Sequence, residues 1–275
     1  MKNLTNVNTI VTHAATFHSD EVFGTAFMQT LIPGVEVVRT INRQEVAEYL
    51  QREDSLVFDI GLGEYDHHQS DKALREDGTP YCAFGLLWRD YGHLLCPTES
   101  AWAKVDRDLV LAIDKADNGI EGNTLSTTIA QLNPSWDENP DTTPGFWKAV
   151  AMATEILNAY IRRANSAAKA AELVRQSPID DGVLVLNQYL PWQEVVITSM
   201  PEVMFVVFPS NRGGYNIQTV PVEEGSFTGR KGFPTEWLGH PDASLGMTFC
   251  HPGNFLASTQ TLEQAINVAK IAIAK

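Results

Sequence analysis

The sequence predicts an α/β protein with a doubly wound parallel sheet, a helical connector and a smaller C-terminal α+β domain. Three observations carry that expectation. Over residues 1–125, short apolar runs of β type alternate with helical patterns, the rhythm of βαβ units. Residues 126–175 carry no strand signal, and the helical connector is expected over 126–178. From 179 to 275, β-type runs return in quick succession and one amphipathic stretch closes the chain.

The elements follow in order. "NTIVTHAA" reads as a strand ending near His13, and residues 20–31 as a helix stopped by Pro33-Gly34. "VEVVRT" is the next strand and 43–51 the next helix. "SLVFDI" is a short continuous apolar run, typical of a strand buried on both faces. Thr79 and Pro80 suit an N-cap and first helical position for "YCAFGLLWRDYG", and 99–114 is helical. "NPSWDENPDTTPG" is a proline-rich loop, 145–174 a long helix and "RQSPIDDG" a boundary. Strand signals then fall at 183–188, 194–198, "VMFVVF", "YNIQTV", "GMTFC" and "NFLAS". The last helix opens on the capping box of Thr261 and Gln264, with Leu262, Ile266 and Ala269 as its apolar stripe.

Composition narrows the function. With 44% hydrophobic and 20% charged residues, the chain falls in the ordinary globular class. It has no bilayer-length apolar run and no secretory signature near its start, so a cytoplasmic protein is expected. Cys82, Cys96 and Cys250 are not in metal-ligand spacing and read as reduced, buried thiols. A net charge of −14 repels long nucleic acid, so a phosphate-bearing substrate would need bound cations and would be short.

The chemistry gathers in "GLGEYDHHQSD". In open parallel sheets, ligands bind beyond the carboxyl ends of the strands. His13 ends the first strand, with His18 and Asp20 on the loop after it, and Asp59 ends the third. Asp66, His67 and His68 follow at once, and "AIDKADNGI" offers Asp114 and Asp117. Imidazoles and carboxylates without thiolates favour Mn²⁺, Mg²⁺, Fe²⁺ or Zn²⁺. The donors exceed one ion's needs and suit two ions about 3.5–4 Å apart sharing a carboxylate. His13 alone would pass for a strand-end histidine and Asp117 for a turn residue; it is the convergence on one rim that speaks for a site.

"THAATFHSDE", "VFDIGLGEYDHHQ", "DKADNGI", "RGGYNIQTVPV", "GFPTEWLG" and "HPGNFLAS" together resemble the DHH phosphoesterase superfamily, in its melanocyte-proliferating-gene branch. The resemblance implies that His13, His18 and Asp59 hold one ion and that Asp20, Asp59, His67 and Asp117 hold the other. Asp59 would bridge, His68 would face the substrate phosphate, and Asp66 would orient an imidazole. It implies Mn²⁺ or Mg²⁺ as cofactor, with Asp59, Asp66 and His68 at the reacting centre. Two departures stand out: His18 where most of the superfamily has aspartate, and "HPGNFLAS" in place of a glycine-rich "GGGH".

The C-terminal domain would supply the cations that a phosphodiester needs. Arg212 lies in "NRGGYN", Arg230 and Lys231 in "TGRKGFP", and His251 opens "HPGNFLAS"; the resemblance marks Arg212, Lys231 and His251. Trp136, Trp192 and Trp237 are aromatic candidates for base stacking, Trp237 the best placed. The function expected is a two-metal phosphodiester hydrolase, a 3′–5′ exonuclease on short single-stranded RNA or DNA, with no membrane partner; the reading admits a homodimer. The alternatives are a phosphatase or pyrophosphatase on small esters and a silent nucleotide-binding regulatory module. Metal-dependent peptide hydrolysis is disfavoured, because no His-Glu-x-x-His helix occurs.

Overall fold

The computed structural model describes residues 1–275 and divides into two compact units, Met1–Ser166 and Ala167–Lys275. The first is mixed α/β. Its strands β1 (Thr9–His13), β2 (Glu36–Thr40) and β3 (Ser55–Val57) form a wholly parallel sheet in the order β2-β1-β3. In the register Thr9 lies opposite both Glu36 and Ser55, so the central strand is paired on both edges. Between the strands run α1 (Ser19–Leu31) and α2 (Arg43–Gln51). Asn42 caps α2 by accepting from the N–H groups of Gln44 and Glu45. Helix α1 is buried without a break from Ser19 to Met28, as befits a helix packed against several others. Phe27 stacks obliquely on Trp88 and edge-on to Phe84, both on α3 (Ala83–Tyr91), at ring separations of 5.4 and 6.0 Å. Burying such side chains contributes about 1.5–3 kcal/mol each.

After α3, α4 (Glu99–Val105) passes through a π-helical turn at Asp106–Val110 into α5 (Leu111–Asp117). Helices α6 (Thr124–Ala130) and α7 (Thr143–Arg175) follow, the last turns of α7 belonging to the second unit. Sequence periodicity passed over α6, a seven-residue helix capped by Asn123 through the Ser126 N–H. The expected start of α3 is also displaced. Thr79 and Pro80 lie in a short extended turn, where Tyr81 N–H reaches the Ala73 carbonyl, and the N-cap is Cys82. The Cys82 N–H is spoken for by the buried Asp114 carboxylate, 2.9 Å away, and that tertiary bond sets the helix start.

The second unit is a six-stranded mixed sheet, order β4-β5-β6-β7-β9-β8, with β4 (Ile179–Asp180), β5 (Val183–Val185), β6 (Phe205–Pro209), β7 (Tyr215–Thr219), β8 (Met247–Cys250) and β9 (Leu256–Thr259). Residues 194–198, expected as a strand, lie instead in α8 (Gln193–Ser199). Val195 and Val196 pack there with Trp192, Leu184, Val206 and Val220. On the other sheet face, α9 (Leu262–Ala274) buries Ala265, Val268, Ala269 and Ala272 against Val207, Ile217 and Ala257. The Thr261–Gln264 capping box is present, but the buried stripe is rotated from the expected one, and Leu262 and Ile266 are only half-buried.

Candidate metal centre

The carboxyl ends of β1 and β3 carry the cluster. His13 is the last residue of β1, and Asp59 follows β3 after Phe58, whose N–H is still bonded to the Val11 carbonyl. Asp59 adopts φ 57°, a left-handed conformation that few side chains other than Asn and Asp accept readily. The chain then turns sharply at Gly61, φ 88°, where a β-carbon would also run into Val46. Asp66 closes this loop: one oxygen accepts the Leu62 N–H at 2.6 Å, and the other accepts the His68 N–H at 3.1 Å and meets His68 Nδ1 at 2.7 Å. His18, Asp20 and Glu21 come from the start of α1, and Asp117 is the last residue of α5.

Asp59 offers one oxygen to each of two imidazoles. Oδ2 lies 3.1 Å from His13 Nε2 and Oδ1 lies 3.2 Å from His67 Nε2, the latter without hydrogen-bond alignment. His67 Nε2 is also 3.2 Å from Asp117 Oδ2 and 3.7 Å from Asp20 Oδ2. A ring nitrogen carries one hydrogen at most, so it cannot serve three carboxylates. Both Asp20 oxygens, Asp59 Oδ1 and His67 Nδ1 are buried with no hydrogen-bond partner. Burial, and then the neighbouring Asp59, Asp117 and Glu21, push the Asp20 carboxyl well above its ordinary range. Burial would raise Asp59 too, but the His13 and His67 imidazoles beside its two oxygens bring it down to about 2. Burial works against charge on His13, yet Asp59 and Glu21 together raise its pKa to about 11. His67 is raised by Asp59 and Asp117 against the same penalty of burial.

Crowded buried carboxylates with idle oxygens are costly unless a cation joins them. Ligand atoms of His13, His18 and Glu21, of Asp59, His67 and His68, of His18, Asp20 and Asp117, and of Asp20, Glu21 and Asp59 lie within 4.8 Å of one another in each group. These groups could hold a metal ion, and the donor set fits the hard or borderline divalent ions expected from sequence. A cavity of about 720 Å³ opens over them, lined by His13, His18, Asp59, His67, His68 and Asp117, with Lys72 on its wall.

Glu21 was absent from the sequence reading. It is fully buried, its Oε1 lies 3.1 Å from His13 Nε2, and both its oxygens accept the His18 N–H at 2.9 Å. Its place three residues after His18 is that of the acid in a capping box, the one signal that could have found it. Asp114, which the sequence offered beside Asp117, belongs elsewhere. It is fully buried and takes the Arg75 Nε–H at 2.6 Å and the Cys82 N–H at 2.9 Å.

The substrate candidates of the second unit do not converge. Arg212 sits in the β6–β7 turn, and His251 follows β8 in the β8–β9 turn. Tyr215 pairs with Thr259 and Gln218 with Leu256, so these turns lie at opposite ends of the sheet. Lys231 keeps company with the His251 end, where Asn254 accepts the Phe233 N–H at 2.6 Å. His251 Nδ1 accepts the Gly253 N–H at 2.9 Å. Arg230 is structural: its guanidinium donates to the carbonyls of Val196, Ile197, Met200 and Val203 at the end of α8. Trp192 and Trp237 are buried in the two cores, which removes them as stacking platforms, whereas Trp136 is exposed.

Fold and cluster together define a mixed α/β protein with an acidic, imidazole-rich centre able to bind metal. The model of the MYG1_exonuc family, described as "Uncharacterised protein family (UPF0160)", matches residues 9–273, and the chain belongs to this family. It is 28% identical to proteins named MYG1 exonuclease from Mus musculus and Homo sapiens, over 97% of this chain and 85% and 86% of theirs. It is 23% identical to a MYG1 protein of Dictyostelium discoideum over 95% of each chain. No solved structure matches it.

Proposed function

We propose that the chain is a two-metal phosphodiester hydrolase, a 3′–5′ exonuclease on short single-stranded RNA or DNA, with a doubly wound DHH-type core. The single observation that carries this reading is Asp59, with one oxygen toward His13 and the other toward His67. That is the disposition a bridging carboxylate needs. In this reading His13, His18 and Asp59, with Glu21 alongside, would hold one divalent ion, Mn²⁺ or Mg²⁺, and Asp20, Asp59, His67 and Asp117 the other. Bound ions would turn water into a nucleophile at neutral pH and neutralise charge on the phosphoryl group.

The chain's own residues do the rest. Asp66 orients His68 from Nδ1 and leaves the exposed side of that ring toward the cavity, where it can donate to a phosphate oxygen. Lys72 adds a cation to the same wall, its ammonium steadied by Asn118 Oδ1 at 3.0 Å. Residues 179–275 take the substrate-holding role, with Arg212, Lys231 and His251 acting at separate points on the strand. The names of the mouse and human relatives support the nuclease class.

The test compares initial rates with Mn²⁺ on a labelled oligonucleotide, a cyclic dinucleotide and pyrophosphate. Fastest turnover is expected on the oligonucleotide, with mononucleotide release from its 3′ end. Preference for pyrophosphate, or tight nucleotide binding without hydrolysis, would overturn the reading.

A further inference from the structure

One face of the second unit's sheet is covered over only half its width. Helix α8 packs on the β5–β6 side, burying Val206 and Phe208. Beyond it, the same face of β7, β9 and β8 borders a cavity of about 670 Å³, within the usual size of small-ligand sites. A cross-strand row runs through it. Phe208 pairs with Asn216, Asn216 with Ser258, and Ser258 with Phe249, so an aromatic ring closes each end of an amide–hydroxyl pair. At the strand spacing the row is roughly 14 Å long. Gln218, two residues after Asn216, shares its face and lines the same cavity.

The polar atoms are arranged for a ligand with both donors and acceptors. Ser258 donates its hydroxyl to Asn216 Oδ1 at 2.9 Å, which turns the Asn216 amide hydrogens away from that bond. Tyr189 lies edge-on to Phe208 at 5.3 Å and is exposed, as is Phe249. Charge decides the occupant. The chain carries 34 acidic residues and a net charge of −14, yet no carboxylate lines this cavity, and its one charged group is Arg212. Arg212 is exposed and its guanidinium makes no ion pair. A merely solvated antiparallel face would be expected to share the chain's acidic balance.

We infer that this half-open sheet face is a nucleotide subsite. A base of single-stranded nucleic acid stacks on the exposed Phe249 ring, Asn216 and Gln218 read its edge, and Arg212 holds the adjoining phosphate. The subsite rests on the phosphodiesterase reading for its ligand class, but it contains no metal-centre residue and its binding needs no metal.

The test uses the full chain, ¹⁵N-labelled, in EDTA, titrated with a single-stranded hexauridylate and, separately, with uridine 5′-monophosphate. The side-chain amide resonances of Asn216 and Gln218 are expected to shift with the hexamer. Arg212→Glu and Phe249→Ala, both at exposed positions, are expected to weaken hexamer binding, the first by about tenfold or more. Unmoved amide resonances, variants that bind as tightly as wild type, or no hexamer binding would each overturn the subsite. Shifts from the monophosphate alone would also overturn it as a strand-binding site. Hydrolysis with Mn²⁺ is scored apart. Binding without hydrolysis removes the enzyme and keeps the subsite; hydrolysis with silent amides removes only the subsite.

Discussion

Arg75→Met should be among the most destabilising substitutions in the first unit that touch no proposed metal ligand. The guanidinium is nearly buried and serves three partners. It donates Nε–H to Asp114 Oδ2 at 2.6 Å and pairs with both oxygens of Asp106 at 2.6 and 2.9 Å. It also lies 4.5 Å over the Tyr81 ring. Methionine keeps most of the apolar stem but strands the Asp114 carboxylate, which is 0% exposed and would retain only the Cys82 N–H. Removing one partner of a buried ion pair costs about 3–5 kcal/mol. For a protein of this size that lowers Tm by about 6–20 °C. Burial already raises the Asp114 pKa in the presence of Arg75, and without Arg75 it should rise further. A carboxyl whose folded pKa lies above its unfolded value favours the fold at low pH and disfavours it as pH climbs past the unfolded value. The deficit should therefore be smaller at pH 4 than at pH 8. Adding Asp114→Asn removes the stranded charge and keeps an acceptor for Cys82, so the double variant should be more stable than the single one. Urea unfolding at both pH values reads these differences. A loss below about 1 kcal/mol at pH 8, or a double variant no better than the single, would refute the reasoning.

Three further outcomes are expected. His67→Ala and Asp59→Asn should each reduce Mn²⁺-dependent oligonucleotide hydrolysis to below about 1% of wild type while leaving the far-ultraviolet circular dichroism unchanged; asparagine is chosen because it tolerates the left-handed backbone at Asp59. Near-wild-type rates in either would remove the site. Since His13 in the ion-free protein titrates at about 11, it is protonated at pH 7 and must lose that proton to bind metal. Mn²⁺ binding should then release at least one proton, Asp20 and His67 being raised as well, and tighten as pH rises, read by titration calorimetry in buffers of differing ionisation enthalpy; buffer-independent heats would contradict this. Finally, Gly85→Ala should destabilise by about 1–3 kcal/mol, because its β-carbon would collide with the Asp114 carboxylate; an unchanged Tm would show that Asp114 can yield.

Where the deciding contacts are local, the sequence was legible. Helix 43–51 was found at its actual limits, because a capping Asn and a short amphipathic run suffice to define it. The Thr261–Gln264 box marked the start of α9 for the same reason. The failures are places where a distant partner overrules a local preference. "EVVIT" has the β-branched content of a strand, yet α8 forms because its valines close a core with Trp192 and because Arg230, more than 25 residues on, gathers the carbonyls at its end. Thr79 and Pro80 suit the N-cap and first position of a helix, but the Cys82 N–H is held by Asp114 from 32 residues away.

The same distinction explains the centre. Asp114 and Asp117 are three residues apart on one helix, so spacing alone puts both near one face and gives no means to separate them. What separates them is what comes to meet each: a guanidinium from residue 75 for one, an imidazole from residue 67 for the other. Those two partners sit on a single loop, eight residues apart, at the two ends of "HHQSDKALR". Arg75 fixes one end of that loop to α5 through Asp114 and, through Asp106, to the π-helical turn before it. His67, at the other end, is thereby held against Asp117 on the same helix. The buried ion pair is then a positioning device for the centre, and removing it should loosen the grip of His67 and Asp117 on a shared cation as well as the fold. In the Arg75→Met variant, Mn²⁺ affinity should fall together with stability; an unchanged Mn²⁺ affinity in that variant would remove the positioning role.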